Sequence, residues 1–295
     1  MGYVTEATLT DVVAENWSNI SDPRLRQIMQ AVVKHVHALI REVEPTLEEY
    51  KLAVDFLIRS GKMSSDKRSE TGLIGDVLGL SMLVDAINNR RPGRATPSTI
   101  EGPFHVAEPP PDMANGSNMA ASAPGIPCFV SGKVTGLSGE PIAGAAIEVW
   151  QTDGDGLYED QRGGIEGPWM RAMYYSEADG SYAFRTVVPI AYTIPMDGPV
   201  GELMNRTNME HMRPAHMHFA LAAPDYHDLV THIFEAGDRY IDIDVVYAVK
   251  EPLITEFTKM PAGSKAPNGE IMNEPFTVVH YDFVLEKKVA QAAAA

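Results

Sequence analysis

The 295-residue chain has a single cysteine, Cys128. One thiol cannot close an internal disulfide, and metal sites built from cysteine pairs are excluded with it. A reducing, cytoplasmic location is the expectation from that sparing use of thiols. Basic residues are also scarce: 24 Lys and Arg stand against 40 Asp and Glu, for a formal net charge of −16. That excess repels a phosphate backbone or an anionic bilayer, so no nucleic-acid partner is expected. No apolar run approaches the ~18 residues of a membrane helix, so no membrane insertion is expected. The opening "MGYVTEATLT" lacks the basic patch and apolar run of a signal peptide, and Glu6 stands where a myristoylation signal places Ser or Thr. The closing "AQAAAA" has nothing to anchor it and is expected to fray.

What is present divides into two characters. Residues 22–90 read as helices. In "SDPRLRQIMQAVVKHVHALIREVEP", Leu25, Ile28, Val32, Val36, Leu39 and Val43 recur at steps of three and four, after a start with Ser21 or Asp22 as cap and Pro23 in the first turn. Thr46 and Glu49 have the spacing of a capping box for a second helix, with Gly61 where that helix would stop. "TGLIGDVLGLSMLVDAINN" predicts a third helix over 71–89.

From 90 to 127 the chain is dense in Pro, Gly, Ser and Asn, which reads as one long irregular segment. After it come short β-type runs, "CFVSGKVTG", "AAIEVWQ", "SYAFRTVV", "AHMHFALAA", "DLVTHIF" and "FTVVHYDFVLE", several separated by turns such as "TDGDG" and "EADGS". The expected fold class is α+β, with a helical N-terminal region over 1–95 and an antiparallel β-sandwich over 96–295. No sequence repeat is evident. Three helices ahead of a complete sandwich leave apolar surface over, which points to burial against a second copy, a homodimer.

His216 and His218 stand two apart on a strand-like run, so both imidazoles share one face, close enough for a single ion. By itself such a pair is more often two satisfied structural histidines than a pair of ligands. No carboxylate completes a two-His-one-carboxylate set, but Tyr158 follows the "TDGDGLY" turn and Tyr192 closes "VVPIAY". Tyrosine at such places commonly packs through its ring. If both phenols are ligands, the set is two tyrosinates and two imidazoles, and holding phenolates of ordinary pKa about 10 at neutral pH calls for a strong, hard Lewis acid. Ferric iron fits that better than zinc.

The segments "TPSTIEGPFHV", "GEPIAGAAIEVWQTDGDGLYEDQ", "IAYTIPMDGPVGELM" and "RPAHMHFALAAPDYHDLVTHIFEAGDRY" resemble the intradiol ring-cleaving dioxygenases over most of the chain. That resemblance implies one non-haem Fe(3+) per subunit, held by Tyr158, Tyr192, His216 and His218, with an aromatic diol or triol and O2 as reactants. By position, Tyr192 is the ligand that dissociates and acts as a base, and Tyr158 stays bound. Arg213 stabilises the negative charge that develops on the ring. The family's dimers join through N-terminal helices and enclose a phospholipid, and the same is expected here.

Among the family's substrates (catechol, chlorocatechols, protocatechuate and hydroxyquinol, benzene-1,2,4-triol), "AYTIPMDGPVG" and "VTHIFEAGDRYIDIDVVYAVK" look most like the hydroxyquinol branch. Carried over by position, Leu73, Asp76, Ile100, Gly102, Phe104, Ile194 and Pro195 line the pocket with Arg213. Asp76 is either an exposed helix carboxylate or the acceptor of a third ring hydroxyl. Two departures from the pattern stand out: Glu101 resembles the catechol enzymes, and His232 replaces their glutamine, where it orients substrate or Arg213, or is simply a buried histidine. A catechol or chlorocatechol enzyme is therefore the near alternative. "VSGKVTGLSGEPIAGAAIEVW" alone also fits a non-catalytic transthyretin-like sandwich. His35, His37, His105, His211, His227 and His280 have no ligand spacing.

Overall fold

A computed structural model describes residues 4–65, 68–120, 122–165 and 167–289; the "AQAAAA" end lies outside the described residues. Two compact units emerge, Met1–Arg59 and Ser60–Ala295. The boundary expected between 95 and 96 lies inside the second of them.

The first unit holds α1 (Leu9–Asn16), which the sequence pattern did not signal, then α2 (Pro23–Val43) and most of α3 (Leu47–Met63). Asp22 caps α2 by accepting from Arg24 N at 2.8 Å and Leu25 N at 3.2 Å. The α3 capping box is formed: Glu49 Oε2 accepts from Thr46 N at 2.8 Å, and Thr46 Oγ1 accepts from Glu49 N at 3.2 Å. The stop expected at Gly61 does not occur, and the helix continues to Met63. Glycine inside a helix costs only ~1 kcal/mol and does not by itself terminate it. The stripe of Leu25, Ile28, Val32, Val36, Leu39 and Val43 is 41–57% exposed, so α2 keeps its apolar face outside the core.

The second unit opens with α4 (Glu70–Val77) and α5 (Leu80–Asn88). These replace the single helix expected over 71–89: Gly79 takes a left-handed φ of +68°, which ends α4 and redirects the chain. The irregular segment up to 126 follows. The strands are β1 (Pro127–Gly136), β2 (Ala146–Trp150), β3 (Arg171–Tyr175), β4 (Ser181–Val187) and β5 (Tyr192–Thr193), then α6 (Pro199–Thr207), which the pattern also missed. The chain continues through β6 (Met212–Arg213), β7 (His216–Ala222), β8 (Leu229–Glu235), β9 (Ile254–Thr255), β10 (Phe257–Met260), β11 (Phe276–His280) and β12 (Phe283–Leu285).

One sheet centres on β1, with β4 antiparallel along one edge and β11 then β12 parallel along the other. The other runs β3-β2-β7-β8-β9, antiparallel except for the β8–β9 pair. Side chains alternate across a strand, so Met217, Phe219 and Leu221 of β7 join Ile147 and Val149 of β2 and Ile233 of β8 in the core. Phe219 meets Phe283 of the facing sheet with ring centroids 4.9 Å apart. The opposite parity leaves Trp150, His216, His218 and His232 on the outer face of that sheet. The functional site is built there rather than in the sandwich interior.

Candidate active site

Sheet register sets a row of rings. Trp150 pairs with His218, and His218 with His232. The indole stacks on the His218 imidazole at 4.8 Å and 17°, and His232 closes from the other side at 4.1 Å. Residues 97–105 cover this row. Thr99 N donates to Val230 O at 2.9 Å, its hydroxyl pairs with His232 Nδ1, and Thr231 Oγ1 donates to Pro97 O at 2.7 Å. Gly102, at φ +83°, lies so close that a Cβ there would stand 3.2 Å from His218 Cε1.

The two tyrosines arrive from separate turns. Asp153 is fully buried, and its Oδ1 accepts from Asp155 N at 2.9 Å and Leu157 N at 3.2 Å, which winds the "TDGDG" turn that delivers Tyr158. Phe104 stacks on the Tyr158 ring at 4.6 Å. Tyr192 is placed by the short β5–β6 pairing, where its register partner is Arg213.

The four side chains converge on one point. Tyr158 Oη stands 2.8 Å from His218 Nε2, 3.0 Å from Tyr192 Oη and 3.4 Å from His216 Nε2. His216 Nε2 is 3.2 Å from His218 Nε2 and 3.4 Å from Tyr192 Oη. Donor atoms held ~2.0–2.1 Å from a common centre are necessarily ~2.8–3.4 Å apart at angles of ~90–110°, so the set has the spacing of a metal's ligand shell. His216 Nδ1 lies 2.7 Å from the Pro214 carbonyl, which only accepts; Nδ1 therefore carries the proton and Nε2 keeps its lone pair. Burial, more than any neighbour, pushes both imidazoles well below the ordinary histidine range and both phenols above 10. The imidazoles are thus neutral, as ligands must be, and the phenols ionise only if a strongly charged cation sits among them. His216, His218 and His232 also offer nitrogens all within 4.8 Å of one another. The tyrosine-containing set is tighter, with its contacts at 2.8–3.4 Å, while Thr99 engages His232 Nδ1 and leaves Nε2 without a partner among the described residues.

Arg213, 3% exposed, donates through Nε to Asp244 Oδ1 at 3.1 Å, and its Nη1 stands 3.1 Å from His216 Nε2, whose single lone pair serves either that N–H or a metal. Its burial works against the charge more than any one neighbour favours it, but the Asp244 carboxylate together with the Tyr192 and Tyr158 phenols holds the guanidinium above its ordinary range. Asp244 Oδ2 in turn accepts from Ala248 N at 2.9 Å. Arg213 Nη2 is buried with no hydrogen-bond partner among the described residues. It is a spare donor beside the four-atom cluster.

A cavity of about 340 Å³ adjoins through Phe104, at the lower end of the ~300–1,000 Å³ usual for ligand pockets and suited to one aromatic ring. Of the expected pocket residues, Leu73, Phe104 and Pro195 line it, whereas Asp76, Ile100, Gly102, Ile194, Arg213 and His232 are outside its wall. Asp76 is buried, which removes the exposed-carboxylate alternative. It follows Leu73 by three residues on one face of α4; burial raises its pKa, and a hydrogen bond with Ser81 and then the Arg213 charge partly offset that. Glu101 contacts His105 at 3.2 Å and, like Asp76, takes no part in the cavity wall.

Sequence reading missed Trp150, Thr99 and Asp244, and also Arg68, Ser69, Glu70, Pro103, Asp160, Gln161 and Asp197 of the cavity. None has local spacing to the histidines; Asp244 lies 31 residues after Arg213. Only the fold unites them.

Comparison with known proteins agrees with this geometry. Residues 100–287 match the family model described as Dioxygenase, and residues 22–96 match the catechol dioxygenase N terminus. The chain is 45% identical to a 6-chlorohydroxyquinol 1,2-dioxygenase of Cupriavidus pinatubonensis, over 87% of this chain and 92% of the relative. It is 40% identical to a hydroxyquinol 1,2-dioxygenase of a Rhizobium species, over 97% of each. The solved structure of hydroxyquinol 1,2-dioxygenase from Pseudomonas putida superposes with a TM-score of 0.89 at 40% identity, covering 96% of this chain and 99% of that one. With matched sequence over nearly its whole length and the outer-face cluster in place, the chain belongs to the intradiol ring-cleaving dioxygenases.

Proposed function

We propose that the protein cleaves hydroxyquinol, benzene-1,2,4-triol, between its adjacent hydroxylated carbons with O2. Both oxygen atoms enter the product, 3-hydroxy-cis,cis-muconate, which tautomerises to maleylacetate. The observation that carries the substrate choice is the 40–45% identity to hydroxyquinol-type relatives over most of the chain. Asp76, buried one turn beyond cavity-lining Leu73 though not itself in the wall, is the carboxylate we assign to a third ring hydroxyl, for which catechol has no counterpart.

The cluster of Tyr158, Tyr192, His216 and His218 fits one ferric ion per subunit. Neutral imidazole nitrogens and phenol oxygens stand at ligand spacing, and two hard phenolates favour a trivalent ion. When bound, that ion supplies Lewis acidity that ionises the diol and draws electron density from its ring. The remaining work falls to the chain. Tyr192 would accept one of the diol's two protons at Oη, the other passing to hydroxide, while Tyr158 would be held in place by Phe104 stacked on its ring. Arg213 donates through Nη2 to the negative charge that builds on the ring. Gly102 and Phe104 exclude water on one side, and His232, fixed by Thr99, holds the His218 ring in orientation. Ile100, Ile194 and Pro195 complete the apolar surroundings of the substrate.

The exposed α2 stripe supports a homodimer joined through N-terminal helices within residues 1–95, with residues 96–295 as the catalytic portion. A groove of about 470 Å³ on α2, lined by Ile28, Ala31, Val32 and Val36, suits a phospholipid acyl chain. No helix among the described residues is long and apolar enough to cross a membrane, and the single buried Cys128 suits the cytoplasm.

Side-by-side kinetics on hydroxyquinol and catechol test the substrate. The expected result is a higher kcat/KM for hydroxyquinol, with Asp76→Asn narrowing the gap about tenfold. Equal or better use of catechol by the wild type would refute the choice.

A further inference from the structure

The cavity wall carries charge that the ring-cleaving chemistry does not use. Among the described residues, Arg68 is its one cation, and Glu70, Asp160 and Asp197 are its carboxylates. Such a guanidinium beside an aromatic-sized cavity would ordinarily anchor an anionic ring substituent, because its planar fork matches a carboxylate. Here the fork is already filled. Nη1 donates to Asp197 Oδ2 at 2.9 Å and Nη2 to Asp197 Oδ1 at 2.8 Å, a two-pronged pair. Nη2 also reaches Glu70 Oε2 at 2.9 Å, with Nε at 3.3 Å.

Glu70 cannot turn away. It is 1% exposed, and its other oxygen, Oε1, accepts from Val200 N at 2.9 Å in the first turn of α6. Asp197 stands one residue before Gly198, the N-cap of α6. A Cβ at Gly198 would come within 2.3 Å of Glu70 Oε1, so the backbone packs directly on the carboxylate. The start of α6 and the start of α4 are therefore tied through Arg68 at the cavity wall. Among the described residues, one guanidinium against three carboxylates leaves the wall two charges negative, with Glu70 buried and the Asp197 side chain 68% exposed to solvent screening.

We infer that Arg68, sequestered by Glu70 and Asp197, makes this cavity select for uncharged diols: aromatic rings bearing only hydroxyl groups enter, and rings bearing a carboxylate are turned away. The same negative charge disfavours retention of the dicarboxylate product. This rests on the dioxygenase reading above.

The test is calorimetric affinity of the iron-loaded protein, under anaerobic conditions, for benzene-1,2,4-triol and for 3,4-dihydroxybenzoate. The wild type is expected to prefer the triol. Asp197→Asn removes one negative charge and frees one of the two guanidinium N–H groups that the carboxylate engages, so the preference should shrink about fivefold through tighter binding of the carboxylated ring. Asp160→Asn, which leaves the Arg68 pairs intact, should shrink it by less. In Arg68→Gln/Asp197→Asn the wall charge returns to its original value and the anchor is gone, so the wild-type preference should be restored. An unchanged preference in Asp197→Asn, or a reduced one that persists in the double variant, would overturn the inference. If the wild type binds neither ring, the dioxygenase reading fails and the inference with it. If the triol binds but the variants do not differ, only the inference fails.

Discussion

Asp244→Asn probes how the site holds its cation. Arg213 and Asp244 are 3% and 5% exposed and meet at 3.1 Å, and the carboxylate has a further tie to Ala248 N at 2.9 Å. Deleting one partner of a buried ion pair costs ~3–5 kcal/mol, because the survivor is left charged without compensation. Asparagine keeps one carbonyl acceptor, enough for either the Arg213 Nε–H or the Ala248 N–H, so a loss just below that range, about 2–3 kcal/mol, is expected. At ~2–4 °C per kcal/mol for a unit of this size, Tm should fall by about 5–10 °C. Arg213 keeps its charge but loses its fixed position next to His216, and kcat should fall roughly 10- to 100-fold. Urea unfolding, thermal melts and steady-state turnover measure the effects together. A variant within ~0.5 kcal/mol and twofold of wild type would show that Asp244 does not position Arg213.

Gly102→Ala places a methyl group 3.2 Å from His218 Cε1 at φ +83°, so a loss of ~1–2 kcal/mol is expected together with a displaced visible absorption band; melts and spectra like those of the wild type would contradict the close approach. His105 is held above the ordinary histidine pKa chiefly by its 3.0 Å hydrogen bond to Glu148. A raised folded pKa stabilises the fold fully below the unfolded value of about 6.5 and loses that contribution as pH rises through the folded value. The Tm advantage of wild type over Glu148→Gln should therefore be largest in mild acid and decline towards alkaline pH; an advantage that grows with pH would reverse the assignment.

The parts of the fold that the sequence made legible are those with short-range signals. The α2 stripe, the Asp22 cap and the Thr46–Glu49 box are all decided within four residues. The β7 alternation likewise put His216 and His218 on one face. The break at Gly79 was invisible because the apolar run carries on across it, and α6 was hidden in a stretch rich in turn signals. The four-atom cluster became legible by family resemblance, since Tyr158, Tyr192 and the histidines come from different elements. The supporting residues were out of reach for the same reason: Asp244 finds Arg213, Thr99 finds His232 and Asp197 finds Arg68 across 31, 133 and 129 residues. Even the parallel β1–β11 and β1–β12 pairings leave no mark on a pattern that reports only which face of each strand is buried.

The central claim is that two phenols and two imidazoles on the outer sheet face hold a ferric ion. Its most direct test is the visible absorption spectrum of the purified protein, with metal content measured on the same sample, in the wild type and in Tyr158→Phe. A red protein containing one iron per subunit, whose tyrosinate-to-iron band is lost with Tyr158, is the expected result. A protein that stays colourless after incubation with ferric iron, or a Tyr158→Phe variant with the wild-type band and full activity, would contradict it.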